Sequence, residues 1–140
     1  KTNNKMKKIV ALIGIFMLMI SCSTNDDQPN VHFELLPVES VVMPAEFYAN
    51  TENEIKISYL QPTSCHGFDG FYYDKVDTTR TVAIQSFVLE QSNCTTLTNE
   101  IKEKSLMFKP LDPGTYLFKF WKGKDSNGED IFEEISIDVQ

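Results

Sequence analysis

Short runs of alternating apolar and polar residues are the feature that most restricts the fold of this chain. Residues 54–59 alternate in this way, with Ile55, Ile57 and Tyr59 on one side, and residues 131–139 repeat the pattern. A period of two is that of a β-strand with one buried face. Turn-forming proline, glycine and asparagine residues recur between such runs, and there is no convincing long helical pattern. The sequence therefore predicts an all-β domain.

Residues 80–91 form the longest predicted strand. Apolar side chains lie on both of its sides, which indicates a strand that is either central in a sheet or covered on both faces. The stretch 98–103 is polar and looks weakly helical, as one turn at most. With about seven strands in residues 31–140, we expect a single antiparallel β-sandwich.

A turn before the strand at residues 117–122 is the most specific fold signal. Pro113 pre-sets φ and Gly114 accepts a positive φ, so Tyr116 is placed near the start of the strand. This resembles the tyrosine corner of immunoglobulin-like sandwiches, in which the hydroxyl bonds to upstream backbone. That family has a cysteine two residues after the tyrosine, whereas this chain has Phe118. The resemblance implies an immunoglobulin-like β-sandwich that is not a true immunoglobulin domain.

The beginning of the chain is typical of an export signal. Lys7 and Lys8 precede residues 9–20, twelve residues without a polar side chain. A helix needs roughly 20 residues to cross the bilayer core, so this run suits a removable signal peptide at residues 1–21. Residues 1–5 precede the first methionine and are interpreted as an upstream extension.

The end of this segment resembles the bacterial lipobox, in which a small residue precedes an obligate cysteine. Here Ser21 precedes Cys22, and Met19 stands where leucine is commoner. The resemblance implies cleavage before Cys22 and its lipidation by several acyl chains, which would anchor the protein to a membrane. The alternatives are an ordinary signal peptide with a chance cysteine, or a buried core helix.

Residues 22–30 are polar and acidic and predict a flexible tether. Asp26 and Asp27 resemble the surface-export signal of Bacteroidetes lipoproteins, although a solvated linker explains them equally well. The chain as a whole resembles small, uncharacterised Bacteroidetes lipoproteins with immunoglobulin-like domains. This resemblance implies a location at the outer membrane or cell surface, with the periplasm-facing leaflet as the alternative.

Charge restricts the partners. The chain has a net charge of −7, but four of its 13 basic residues precede Cys22 and no acidic residue does. The remainder has 9 basic and 20 acidic side chains, a net charge of −11. Nucleic acids and anionic lipid surfaces bind basic patches, so we exclude them as partners of the domain.

Two further cysteines, Cys65 and Cys94, lie 29 residues apart. In an exported chain such a pair predicts one disulfide. The alternative is a reactive thiol at Cys65 paired with His66. Neighbouring residues on a strand point to opposite faces, which argues against such a pair.

No motif predicts an enzyme or a cofactor. P-loop, G-x-S-x-G, H-E-x-x-H and zinc-ligand spacings are absent, and the only histidines are His32 and His66. Asp125, Asn127 and Asp130 are weak candidates for a calcium loop. The Asn127-Gly128 pair indicates a hairpin turn with or without metal, so no metal site is predicted.

Aromatic residues supply the candidate ligand site. Tyr72, Tyr73 and Trp121 combine flat apolar rings with polar edges, which suits binding of sugar rings, although aromatic residues also fill sandwich cores. We expect a binding or adhesion module for a glycan or an envelope protein. The alternatives are a structural or assembly component without a small ligand and, least favoured, a small hydrolase, since about 110 residues leave little room for a deep cleft.

Overall fold

The computed structural model describes residues 30–140, which form eight β-strands and no α-helix. No helix in this range has the length and apolar character needed to cross a membrane. The predicted signal peptide, Cys22 and all of the predicted tether except Asn30 lie outside the described residues. The strands are β1 (Val31–Leu36), β2 (Val38–Val42), β3 (Asn53–Leu60), β4 (His66–Val76), β5 (Thr79–Leu89), β6 (Ile101–Phe108), β7 (Gly114–Lys124) and β8 (Asp130–Val139).

The larger sheet has five strands and is built around β5. Strand β4 pairs with β5 along its whole length. The opposite edge of β5 is shared, because β1 pairs antiparallel with Ile84–Leu89 and β7 pairs parallel with Thr79–Val82. Strand β8 extends the sheet beyond β7. The central position predicted for this strand is confirmed.

The smaller sheet has the order β2-β3-β6. The chain passes from one sheet to the other at Pro37, between β1 and β2. Proline has no N–H to donate, so it interrupts a ladder at the point where the chain changes partners. Gly123 of β7 has a φ of 103°, and a Cβ there would lie 3.4 Å from Pro37 Cγ. Glycine at position 123 thus permits both the positive φ and the close approach of β7 to Pro37, where the chain changes sheets.

The predicted all-β sandwich is confirmed, with two differences in detail. It has eight strands where about seven were expected. Its strand pairs are antiparallel except for β5 and β7, which run parallel because the chain crosses through β6 in the other sheet between them. The weak helical interpretation of residues 98–103 is wrong, because β6 begins at Ile101 and pairs with β3.

The core lies between the two sheets, and it includes the side chains on the apolar side of β3 and alternate side chains of β7. Ile55 and Ile57 are fully buried, as are Phe118 and Phe120, whose rings stack with centroids 5.7 Å apart. Alternation therefore identified the core-facing side of β3. The buried cluster comprises Leu36, Val38, Phe47, Ile55, Ile57, Tyr59, Val82, Ile84, Phe108, Tyr116, Phe118, Phe120, Ile137 and Val139.

The tyrosine corner forms as expected. The buried Tyr116 donates its hydroxyl hydrogen to the backbone carbonyl oxygen of Asp112 at 2.9 Å. This bond ties the turn before β7 to the strand itself.

Replacing Tyr116 with phenylalanine should lower the free energy of unfolding by about 1 kcal/mol, the typical net contribution of one hydrogen bond. Urea denaturation followed by circular dichroism measures the change. Tyr48→Phe is the matched control, because the Tyr48 hydroxyl is exposed and bonds only to Glu46. Equal effects of the two substitutions would contradict a stabilising corner.

Candidate functional site

A groove crosses the outer face of the five-stranded sheet. Its volume is about 410 Å³, and its lining combines Tyr72 of β4 with Trp121 of β7 and Phe132 of β8. Leu35, Thr81, Ala83, Lys124 and Asp130 complete it. Two of the three aromatic residues predicted to bind a ligand therefore line one cavity.

Strand pairing explains why the groove forms here. Tyr72 is the cross-strand partner of Ala83, and Trp121 is the partner of Phe132. Ala83 lies on the central strand between these larger side chains, and only 1% of it is exposed. A small residue between two aromatic walls leaves a trough, because side chains of directly paired residues stand side by side on the sheet surface.

Hydrogen bonds hold the Trp121 ring in place. Its Nε1–H donates to Asp130 Oδ1 at 2.9 Å, and the Lys124 ammonium donates to the same oxygen at 2.8 Å. The pKa of Asp130 is lowered, first by the bond from Lys124 and then by that from Trp121. The carboxylate is thus ionised at neutral pH and presents a negative charge at the rim of the groove.

A second ion pair supports the neighbouring aromatic wall. The Lys119 ammonium lies 4.8 Å from the centroid of the Phe132 ring and 3.1 Å from Glu134 Oε1. The face of the Phe132 ring attracts the Lys119 ammonium, which stabilises the position of the ring. The aromatic wall of β7 and β8 is therefore fixed by polar contacts at both of its ends.

The structure does not bring Tyr73 together with Tyr72 and Trp121. Tyr73 follows Tyr72 on the same strand and so points to the opposite face of the sheet. There it lines a different cavity, together with Arg80 and Tyr116. The two tyrosines have similar exposures, 43% for Tyr72 and 40% for Tyr73, but they face different surroundings.

The three weak metal candidates lie in the β7–β8 hairpin, which has Gly128 at a φ of 86°. Asp125 Oδ1 accepts hydrogen bonds from the backbone N–H groups of Asn127 and Glu129. These bonds lower the pKa of Asp125. Asp130 is held by Lys124 and Trp121. Within residues 30–140, no cluster of three or more His, Cys, Asp or Glu side chains could hold a metal ion.

The predicted disulfide between Cys65 and Cys94 is present, with the two Cα atoms 5.4 Å apart. It joins the residue before β4 to the loop after β5, so Cys65 is not a reactive thiol. Backbone and side-chain hydrogen bonds between Ser64 and Thr95 flank it. The bridge therefore closes a connection that hydrogen bonds already define.

His66 belongs to a chain of polar side chains near this bridge. Its Nδ1 lies 2.7 Å from Thr63 Oγ1, and its Nε2 lies 2.7 Å from Glu34 Oε1. A hydroxyl, an imidazole and a carboxylate are also the parts of a catalytic triad. However, the Thr63 oxygen accepts the Cys65 N–H, and neither Thr63 nor His66 lines the groove or the cavity beside Tyr73. We assign the arrangement to stabilisation of the turn before β4.

Sequence reasoning missed two residues that shape these cavities. Ala83 forms the floor of the groove, and Arg80 occupies a core-facing position of β5, in line with the apolar Val82 and Ile84. The second had a signal in the sequence, because Arg80 begins the alternating series continued by Val82 and Ile84. An alanine in a strand carries no comparable signal, since its role depends on which residues pair with it.

Comparisons with protein-family models, with curated proteins and with solved structures find no match to this chain. What the protein does must therefore be inferred from its own residues.

Proposed function

We propose that this chain is a lipid-anchored cell-envelope protein whose sandwich domain binds a glycan in the groove between Tyr72 and Trp121. The observation that carries the proposal is that these two rings, from β4 and β7, flank the small Ala83 on one open sheet face. The anchor is proposed from the lipobox resemblance at Cys22.

The chemistry of the groove suits a sugar ring. A pyranose has an apolar C–H face, which packs on the face of an aromatic side chain, and hydroxyl groups around its edge, which need hydrogen-bond partners. Tyr72 and Trp121 supply aromatic surface. Thr81, Lys124 and the ionised Asp130 supply donors and acceptors along the lining. A volume of about 410 Å³ has the size of a small-ligand pocket.

Trp121→Ala should weaken glycan binding at least tenfold, since a buried aromatic anchor commonly contributes more than about 1.4 kcal/mol to binding. Tyr72→Ala should act in the same direction. A glycan array identifies the ligand, and calorimetric titration then measures its affinity for each variant.

Tyr73→Ala is the matched control, because this tyrosine is adjacent in sequence and similarly exposed but faces the other side of the sheet. It should leave the affinity unchanged. If a glycan binds the protein and Tyr72→Ala and Trp121→Ala have no more effect than Tyr73→Ala, the groove is not its site.

A second candidate function is docking of another envelope protein, as in a structural or assembly role. It is favoured by alternate side chains of β1 on the outer sheet face: Val31, Phe33 and Leu35 are 42%, 60% and 40% exposed. Apolar side chains in a row on an open face are typical of protein contacts. Phe33→Ser should then abolish co-purification of a stoichiometric partner from cells, whereas Trp121→Ala should abolish it only if the groove also contributes.

The anchor has a test of its own. Wild-type protein expressed in its host should incorporate radiolabelled palmitate, and Cys22→Ser should lose the label, because the acyl chains are proposed to attach at Cys22. Mass spectrometry of the mature N-terminus should give acylated Cys22. Undiminished palmitate labelling of the Cys22→Ser protein would contradict the lipid anchor.

A further inference from the structure

We propose that the cavity around Arg80, at one end of the sandwich, is a binding site for a carboxylate group. This cavity has a volume of about 380 Å³ and is separate from the groove that faces the opposite side of the sheet. The carboxylate would belong to a small organic acid or to the C-terminus of a peptide.

Arg80 is the central observation. It is only 4% exposed and occupies a core-facing position of β5, paired with Lys75 of β4 and Phe118 of β7. No carboxylate of the described chain forms an ion pair with it. Arginine is rarely buried this far without an acidic partner, because removing its charge from water is costly.

The guanidinium is held in place while part of it remains available. Nη1 donates to the backbone carbonyl oxygens of Asp77 at 2.7 Å and Thr79 at 2.8 Å. Within residues 30–140, every fully buried side-chain nitrogen or oxygen has a hydrogen-bond partner. Both of these backbone bonds start from Nη1, and the guanidinium also interacts with the Tyr73 hydroxyl, which lines the same cavity. We infer that Nε and Nη2 lie on the side of the guanidinium that faces this cavity. These are two donors in the fixed geometry that a carboxylate matches.

Aromatic rings determine how the guanidinium is presented. Its central carbon lies 5.1 Å from the centroid of the Tyr116 ring and 5.8 Å from that of Phe108. The negative faces of the two rings attract the positively charged guanidinium, and the rings occupy the space above its plane. An incoming anion therefore has to approach the guanidinium at its edge, where the N–H groups point.

The rest of the lining is consistent with an anionic ligand. Lys75 and Lys109 add two positive charges, against the two carboxylates of Asp77 and Asp112. With Arg80 the lining has a net positive charge, although the chain after Cys22 carries −11. An anion would therefore be attracted by the charges that line this cavity and not by the net charge of the whole domain.

Tyr73 provides a neutral donor in the same cavity. Partial burial raises the pKa of its hydroxyl above the usual 10.0, and the nearby Arg80 opposes the shift. The hydroxyl is protonated at neutral pH and can donate a hydrogen bond to a carboxylate oxygen.

The test is a titration of the purified protein, followed by nuclear magnetic resonance, with benzoate and with one short peptide carrying either a free or an amidated C-terminus. Saturable shifts of the amides of Thr79, Arg80 and Asp112 are expected at millimolar ligand or below. A response to benzoate alone would identify small acids as the ligand, and a response to the free but not the amidated peptide would identify chain termini.

Arg80→Gln should weaken binding at least tenfold, and Lys109→Ala, an exposed substitution that should not affect folding, should weaken it two- to fivefold. Tyr72→Ala, which alters only the groove, should leave it unchanged. If Arg80→Gln does not fold, the affinity of the Lys109 variant and the chemical shifts of the wild-type protein test the proposal.

Absence of saturable shifts with every carboxylate, or equal responses to chloride and phosphate at matched ionic strength, would overturn the proposal. Glycan binding in the groove is measured separately, so either proposal can fail alone.

Discussion

Replacing Phe118 with alanine is expected to lower the free energy of unfolding by about 3–5 kcal/mol, the range for a large aromatic residue removed from a close-packed core. Phe118 is fully buried. Its ring stacks on Phe120 and meets the Phe108 ring edge-on at a centroid distance of 5.0 Å, which joins the two sheets. The backbone of β7 cannot move to fill the cavity that the substitution would leave, because β7 is paired with β5 on one edge and with β8 on the other. Urea denaturation followed by circular dichroism provides the measurement.

The neighbouring substitution Leu117→Ala is the control for Phe118→Ala. Leu117 lies on the outer face of the same strand and is only partly buried, so its loss should cost clearly less. A destabilisation below about 1 kcal/mol for Phe118→Ala would show that the core between the sheets is not packed as described.

Removing the disulfide with Cys65→Ser and Cys94→Ser together should lower the free energy of unfolding by about 3–4 kcal/mol. The bridge spans 29 residues, and closing a loop of that length restricts the unfolded chain by this amount in the chain-entropy model. The loss should appear as a lower urea midpoint under oxidising conditions.

Reductant supplies the control for the disulfide prediction. Wild-type protein in reductant should approach the midpoint of the double variant, and the variant itself should not respond. Thiol labelling of the oxidised wild-type protein should detect no free cysteine at positions 65 and 94. An unchanged wild-type midpoint in reductant, with both thiols labelled, would contradict a stabilising bridge.

Those parts of the fold that are determined by residues close together in the sequence could be predicted from it. Alternation in residues 54–59 identified the buried side of β3, because a strand exposes its two faces in turn. The turn before Tyr116 and the hairpin at Gly128 are determined by residues that accept specific backbone conformations. In each case the physical cause lies within a few residues of its effect.

Features that depend on distant partners could not be predicted in this way. Strand β6 was partly taken for a helical turn, since its short polar pattern becomes a strand only through pairing with β3. The parallel contact between β5 and β7 follows from the order in which the chain visits the two sheets. Periodicity within one segment carries no information about either.

The ligand-binding residues were predicted in part for the same reason. Alternation along the strand places Tyr72 and Tyr73 on opposite faces, but the sequence could not show which of the two shares a cavity with Trp121. The cavity around Arg80 needs three strands and the turn before Tyr116 to come together. Its one local sign was a charged residue where the pattern required an apolar one, and such a conflict often marks a functional position.

The change of sheet at Pro37 also determines how the domain carries mechanical load. A force that enters the chain before Asn30 is transmitted first through the ladder between β1 and β5, and then through Pro37 to the ladder between β2 and β3. The two sheets are thus loaded in series. We expect the ladder of six residue pairs between β1 and β5 to separate first. Pulling between residues 30 and 140 in a single-molecule experiment should therefore give an early step that Leu36→Ala makes weaker.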